Sequence, residues 1–283
     1  MSAKNIVWIS RFGPELASFR YRAMIPSEEV AKHNGFKTAI NDGDADIVIF
    51  TKPTGDDIEL SKKLKAEGAK IIFDLSDNHF HTKLEPIYRE VVKIGDHFIC
   101  ASEAMQGIIR AESGRDAKII PDPYEFDEVP PHAQGDSFLW FGHYRNFYEV
   151  SRVVDAMDGR KLRVVTGPKE IPGTIPWSLE NMREVFKMTN VVILPTQAGA
   201  EYKSPNRLIN SIRQGCFAVC MNHPAYYEFR DFVWVGDFRT GLRWTDAFID
   251  ELNERVKAGQ DYIRDKYSPA AIGNVWAEFL EQV

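Results

Sequence analysis

The sequence predicts an α/β protein built from two parallel-sheet halves. Three observations carry that prediction. Short apolar runs alternate with helix-patterned segments along the chain, the pattern of βαβ units. The alternation breaks once, over residues 121–136, and then restarts. The length of 283 residues suits one large α/β domain or two domains of roughly 100–150 residues each. Apolar residues make up 44% and charged residues 27%. Both lie near the globular average, so the chain buries a core and wholesale disorder is excluded.

The elements follow in order. In the first half, residues 6–10 (IVWIS), 46–51 (DIVIFT), 70–75 (KIIFDL), 97–101 (HFICA) and 117–120 (AKII) read as strands. Helices are expected over 26–33, 58–67, 84–94 and 103–111. Gly35 and Gly68 end the first two, and Ser102 supplies an N-cap for the last, the usual punctuation of helices. Residues 121–136 then hold four prolines and five acids with no Lys or Arg. That composition reads as an interdomain linker. In the second half, strands are expected over 137–141, 161–166, 190–195 and 217–221, and helices over 148–157, 179–188 and 205–214. Two terminal helices follow, over 246–267 and 269–282. The expected organisation is two Rossmann-like domains, 1–121 and 137–266, joined by a linker over 122–136, with 267–283 as a last helix. Such domains face each other across a cleft, and ligands sit at the C-terminal ends of strands beside helix N-termini.

Five of the six charges in the net −6 come from the linker. Residues 1–121 carry 17 basic and 18 acidic side chains, and residues 137–283 carry 18 of each. No basic tract advertises nucleic acid. No apolar run reaches the ~20 residues of a membrane span, and the N-terminus lacks a signal peptide's apolar region. Cys100, Cys216 and Cys220 lie in apolar stretches and read as buried thiols in a reducing compartment. Together these point to a cytoplasmic protein with no metal site.

The stretch 190–220 runs strand, loop, helix, glycine stop and strand. Ser204 suits the N-cap and Pro205 the first helical position. The free N–H groups of that turn and the helix dipole make an anion site. Lys203 and Arg207 bracket the turn and would add cationic donors. A plain capped helix with two solvated cations is the alternative reading.

The pattern Lys203-Ser204-x-Asn206-Arg207-Leu208-Ile209-x-x-Ile212-x-x-Gly215, followed by an apolar strand, resembles the nucleotide-sugar loop of GT-B-type glycosyltransferases. The likeness is strongest to the retaining branch, which carries a Glu-x7-Glu motif before a similar glycine. The order of elements over most of the chain agrees, including Phe141-Gly142 opening the second half and Tyr267-Ser-Pro before the last helix, which the resemblance implies packs back on the first domain. In that register the motif's second Glu falls on Asn210 and its first on Tyr202. The resemblance implies that position 210 meets the donor ribose, where Asn is a weaker partner than a carboxylate. It also implies that Gly142 lets the backbone approach the donor diphosphate, that Arg145 contacts it, and that Trp177 stacks on the base; a plain turn glycine, a surface-loop arginine and a core or rim tryptophan are the alternative readings. The family generally works without a catalytic metal, so no cofactor beyond the nucleotide-sugar co-substrate is implied.

Two further groups belong to the first half. Asp74 lies near the end of the strand 70–75, and Asp77, His79 and His81 follow it. Asp77 and His79 are candidates to bind the acceptor or position its hydroxyl; local hydrogen bonding is the alternative. Arg11, Arg20 and Arg22, in a loop with three aromatics, are candidates for an acidic acceptor; the alternative is a loop salt-bridged to acids such as Glu28. The resulting expectation is transfer of a sugar from a nucleotide-diphosphate donor to a hydroxyl of a glycan, a small molecule or a modified nucleobase in DNA. The second expectation is a non-catalytic binder that kept the fold, motivated by Asn210.

Overall fold

The computed structural model describes residues 3–169, 171–196 and 199–283. The chain divides into two compact units. The first comprises Met1–Pro123, Tyr202–Ser204 and Tyr267–Val283; the second comprises Tyr124–Glu201 and Pro205–Lys266.

In the first unit, six parallel strands lie in the order β2-β1-β3-β4-β5-β6. They are β1 Lys4–Ile9, β2 Phe36–Ile40, β3 Ile47–Thr51, β4 Lys70–Asp74, β5 His97–Cys100 and β6 Lys118–Ile119. Every residue of β3 is buried, because helices cover both faces of a parallel sheet. One layer of core holds Phe50, Phe73, Phe98 and Tyr88; the other holds Trp8, Ile49, Ile72 and Trp276. Trp276 comes from the last helix, Pro269–Glu281, whose N-cap Ser268 accepts from the Ala271 N–H. A Cβ on Gly273 of that helix would stand 2.5 Å from Glu29 Cβ. The missing side chain therefore lets the last helix close onto the helix Ile25–Val30 of the first unit.

The second unit repeats the plan. Its strands are β7 Phe138–His143, β8 Leu162–Gly167, β9 Ile175–Pro176, β10 Val191–Leu194, β11 Phe217–Cys220 and β12 Trp234–Val235. They lie parallel in the order β12-β11-β10-β7-β8-β9. The three cysteines are free and buried, and burial pushes the Cys100 thiol up to about 12.

Besides the short strands β9 and β12 and the helical segments over 17–24 and 224–229, which the sequence reading lacked, four features differ from it. Strand β2 was not expected; only Phe36 in it is buried, so the sheet edge carries little apolar signal. The expected helix 148–157 is a 3₁₀ segment, Tyr144–Arg152, with a short helix Val154–Met157. Phe147, Val150 and Val153 pack inward at a spacing of three, which matches three residues per turn. The expected helix 246–267 starts only at Leu252. A separate helix, Phe238–Ala247, precedes it, capped by Asp237 accepting from the Thr240 N–H at 2.8 Å. The fourth is the N-cap of Asn206–Arg213, taken up below. Among the described residues no helix is long and apolar enough to cross a membrane.

Candidate functional site

Chemistry-bearing side chains gather at the C-terminal ends of the strands in each unit. In the first unit they form two ionic clusters. The deeper one centres on Arg22, from the widened helical turn Arg20–Met24 that follows β1. Arg22 is 1% exposed. Its Nε donates to Asp74 Oδ2 at 2.6 Å, and its Nη1 donates to the Ile120 carbonyl at 2.6 Å and to Asp122 Oδ1 at 3.2 Å. Ser76 donates to the other oxygen of Asp74 at 3.1 Å, and Ser204 donates to Asp122. Burial works against the Arg22 charge, but Asp74 and Asp122 outweigh it and raise its pKa. Burial raises the Asp74 pKa, and Arg22 offsets only part of that rise. Both directions follow from one cation serving two buried carboxylates.

The second cluster is nearer the surface. Asp77 accepts from Lys52 at 2.7 Å and also from Lys203. Burial raises the carboxyl, but the two ammonium groups outweigh it and hold Asp77 well below the usual carboxylate range. His79 lies beside this cluster, its ring edge on Tyr88 at 5.1 Å and its Nδ1 3.2 Å from Thr82 Oγ1. Burial lowers the His79 pKa, so the imidazole is neutral near pH 7. His81 is exposed and pairs with Glu112 at 2.8 Å.

The other arginines of the first loop are spoken for. Arg11 pairs with Asp57 at 2.8 Å. Arg20 is buried and donates to the Pro14 carbonyl at 2.6 Å. The acids paired with Arg11 and Arg22 are Asp57, Asp74 and Asp122 rather than Glu28.

In the second unit, Gly142 lies near the end of β7. A Cβ there would meet the Trp140 ring at 3.0 Å and Arg207 Nη1 at 3.4 Å. Arg207 leaves the first turn of the helix Asn206–Arg213 and donates to the Phe141 carbonyl at 3.3 Å and to the Pro195 carbonyl at 3.5 Å. Its Nη2 is 3.7 Å from the buried carboxylate of Glu149. One guanidinium thus spans the ends of β7 and β10. Arg145 is exposed and lies over the Tyr144 ring. Trp177 is half-buried, its backbone N–H donating to the Thr166 carbonyl at 2.8 Å.

Ser204 does not cap the helix. Pro205 is the N-cap, with no side-chain hydrogen bond. The buried carboxylate of Asp122 takes the Ser204 hydroxyl instead, a charge-assisted bond stronger than a neutral cap. Asn206 opens the helix, and its carbonyl accepts from Asn210 Nδ2 at 2.9 Å. Asn210 is 2% exposed, and its Oδ1 accepts from the Glu125 N–H at 3.2 Å.

Sequence reasoning missed Lys52, Glu149 and His223. Lys52 directly follows β3, and a charged residue just past a buried strand was the signal available. Glu149 carries no such signal, since a single buried acid leaves no periodic trace. His223 is buried; it accepts from the Ala225 N–H at 3.2 Å, and its Nε2 meets the Ala200 carbonyl at 2.9 Å. It therefore steadies the loop ahead of the helix. Among the described residues no three His, Cys, Asp or Glu side chains gather in a way that could hold a metal ion.

No protein-family model matches this chain, and no curated sequence does. Solved structures do. A glycosyltransferase from Rickettsia africae aligns over 100% of this chain and 100% of its own, with TM-score 0.67 at 9% identity. The N-terminal domain of the Candida albicans trehalose-6-phosphate phosphatase aligns over 99% and 97%, with TM-score 0.66 at 7% identity. A UDP-GlcNAc 2-epimerase from Neisseria meningitidis, bound to UDP-GlcNAc, aligns over 100% and 100%, with TM-score 0.57 at 9% identity. The likeness is one of fold alone: two Rossmann-like domains of the GT-B-like kind.

Proposed function

We propose that the protein is a glycosyltransferase that moves a sugar from a nucleotide-diphosphate donor to a hydroxyl acceptor, without a metal and with retention at the sugar carbon. The observation that carries this reading is the meeting of Gly142 and Arg207 at the end of β7, beside the first turn of the helix Asn206–Arg213. Backbone without a side chain, a cation and the positive end of a helix together suit a diphosphate. Arg207 and the helix N-terminus neutralise the leaving diphosphate as the sugar carbon–oxygen bond breaks, which is electrostatic catalysis. The acceptor oxygen bonds to that carbon, and its proton passes to a phosphate oxygen. Trp177 and Arg145 serve the nucleotide. Neutral His79 orients the acceptor hydroxyl.

Asn210 supports a second reading, a binder without turnover. Its amide is committed to the Glu125 and Asn206 backbone, which leaves it poorly placed to serve a ribose. Calorimetry with UDP, GDP, ADP, dTDP and CMP, then with their sugar conjugates, tests both. A hit weakened about tenfold by Arg207→Ala, equivalent to ~1.4 kcal/mol, supports the donor site. Binding without transfer or hydrolysis for any acceptor tried favours the binder. Isomerisation of the nucleotide-bound sugar in the absence of any acceptor sinks the transferase reading.

A further inference from the structure

We propose that Lys52 and Lys203, gathered on Asp77 at the C-terminal edge of the first sheet, receive an anionic group, phosphate or carboxylate, carried by the acceptor. The inference rests on the transferase reading only for the word acceptor. The receptor itself stands on the cluster.

The exposures are the first argument. The side chains of Lys52 and Lys203 are 31% and 48% exposed, while that of Asp77 is 11% exposed. The carboxylate therefore lies beneath, and the ammonium groups form the surface that a solute meets. Each ammonium has three N–H donors. Lys52 gives one to Asp77, and Lys203 gives one to Asp77 while its Nζ lies 5.1 Å from the Tyr202 ring centre. Donors remain on both for a shared anion.

The charges are the second argument. Two cations on one carboxylate leave the cluster one charge positive. The nearby carboxylates of Asp74 and Asp122 are buried and face Arg22, Ser76 and Ser204. His79, neutral, adds no charge. Asp77 also holds the two ammonium groups together before any ligand arrives, which removes most of the cost of assembling them. That makes Asp77 a positioning residue.

The backbone is the third argument. Lys52 has φ +50°, a left-handed conformation that L residues other than Asn and Asp rarely hold. Its N–H donates to the Asp74 carbonyl at 3.3 Å, so the strand pairing continues through it while the chain turns. Strain held at one charged residue beside a cluster marks a functional position. Arg20 and Arg22, the arginines first expected to meet an acidic acceptor, are buried, and the lysine pair takes over that task.

Titration of the full chain with inorganic phosphate by calorimetry is the test. Lys52→Gly keeps the left-handed backbone and removes the ammonium, so folding is retained. It and Lys203→Ala should each weaken phosphate binding by about tenfold, whereas Lys52→Arg should restore it. UDP or GDP, whichever binds, should keep its affinity in Lys52→Gly. Equal phosphate affinity in wild type and Lys52→Gly overturns the proposal. So does a wild type that fails to bind phosphate. Competitive displacement of phosphate by the nucleotide assigns the pair to the donor and overturns the acceptor assignment. If no nucleotide binds but phosphate binding still depends on Lys52, the receptor stands and the transferase reading alone falls.

Discussion

The two ionic clusters of the first unit are mirror arrangements with opposite surroundings. Around Arg22, one cation holds two carboxylates in the dry interior. Around Asp77, one carboxylate holds two cations that reach solvent. The first ties together the turn after β1, the end of β4 and the segment after β6, residues far apart in sequence. Its members have no exposed donor to offer. The second spends less on holding the fold and keeps donors free. Burial therefore separates the cluster that fastens the fold from the one proposed to receive an anion, although both pair aspartate with basic side chains.

The contrast breaks first at Arg22. Arg22→Met leaves Asp74 and Asp122 buried without their cation and should cost about 3–5 kcal/mol, the range for breaking a buried ion pair on one side. Urea unfolding measures it; a loss below ~1 kcal/mol would erase the distinction between the clusters. Asp77→Asn should cost less, about 1–3 kcal/mol, because the freed ammonium groups can turn to water. The same denaturation series orders the two.

The pH dependence sharpens the comparison, because the two acids shift in opposite directions. Asp77 has a lowered pKa when folded. The stability it contributes is present above the ordinary Asp value and is lost as pH falls through the lowered one. Asp74 has a raised pKa. Its contribution is present below the ordinary value and is lost as pH rises through the raised one. Melting temperatures recorded from about pH 2 upward should therefore respond in opposite ways. Asp77→Asn should flatten the acid-side loss, and Asp74→Asn should flatten the decline above the ordinary Asp pKa. Matching slopes in both variants would contradict the assignment. The smallest effect is expected at Arg11, paired with Asp57 and 42% exposed. Arg11→Ala should cost no more than about 1 kcal/mol, and a shift in melting temperature comparable to that of Arg22→Met would show that exposure is a poor guide here.

Much of the fold was legible because a buried parallel strand is a local property. DIVIFT and KIIFDL each hold an unbroken apolar stretch, IVIF and IIF, and the strands Ile47–Thr51 and Lys70–Asp74 lie within them. Ser102 and Ser178 precede helices and cap them by accepting the N–H three residues on. The edge strand Phe36–Ile40 was missed because a half-covered strand loses that pattern. At the candidate site, the sequence pointed to the strand end that holds Asp77 and His79 and to the turn that holds Lys203 and Arg207. The tertiary fold decided the partners. Arg22 meets Asp74 52 residues away, and Lys203 meets Asp77 126 residues away. Ser204 turned from its own helix to Asp122, 82 residues back.

The sequence by itself determined where the strands and most helices run, because hydrophobic period, caps and glycine stops act over a few neighbouring residues. Only the tertiary structure decided which cation serves which carboxylate, and so which arginines are buried fasteners and which lysines still offer donors. Coulomb attraction and desolvation depend on distance in space and on access to water, and chain order encodes neither.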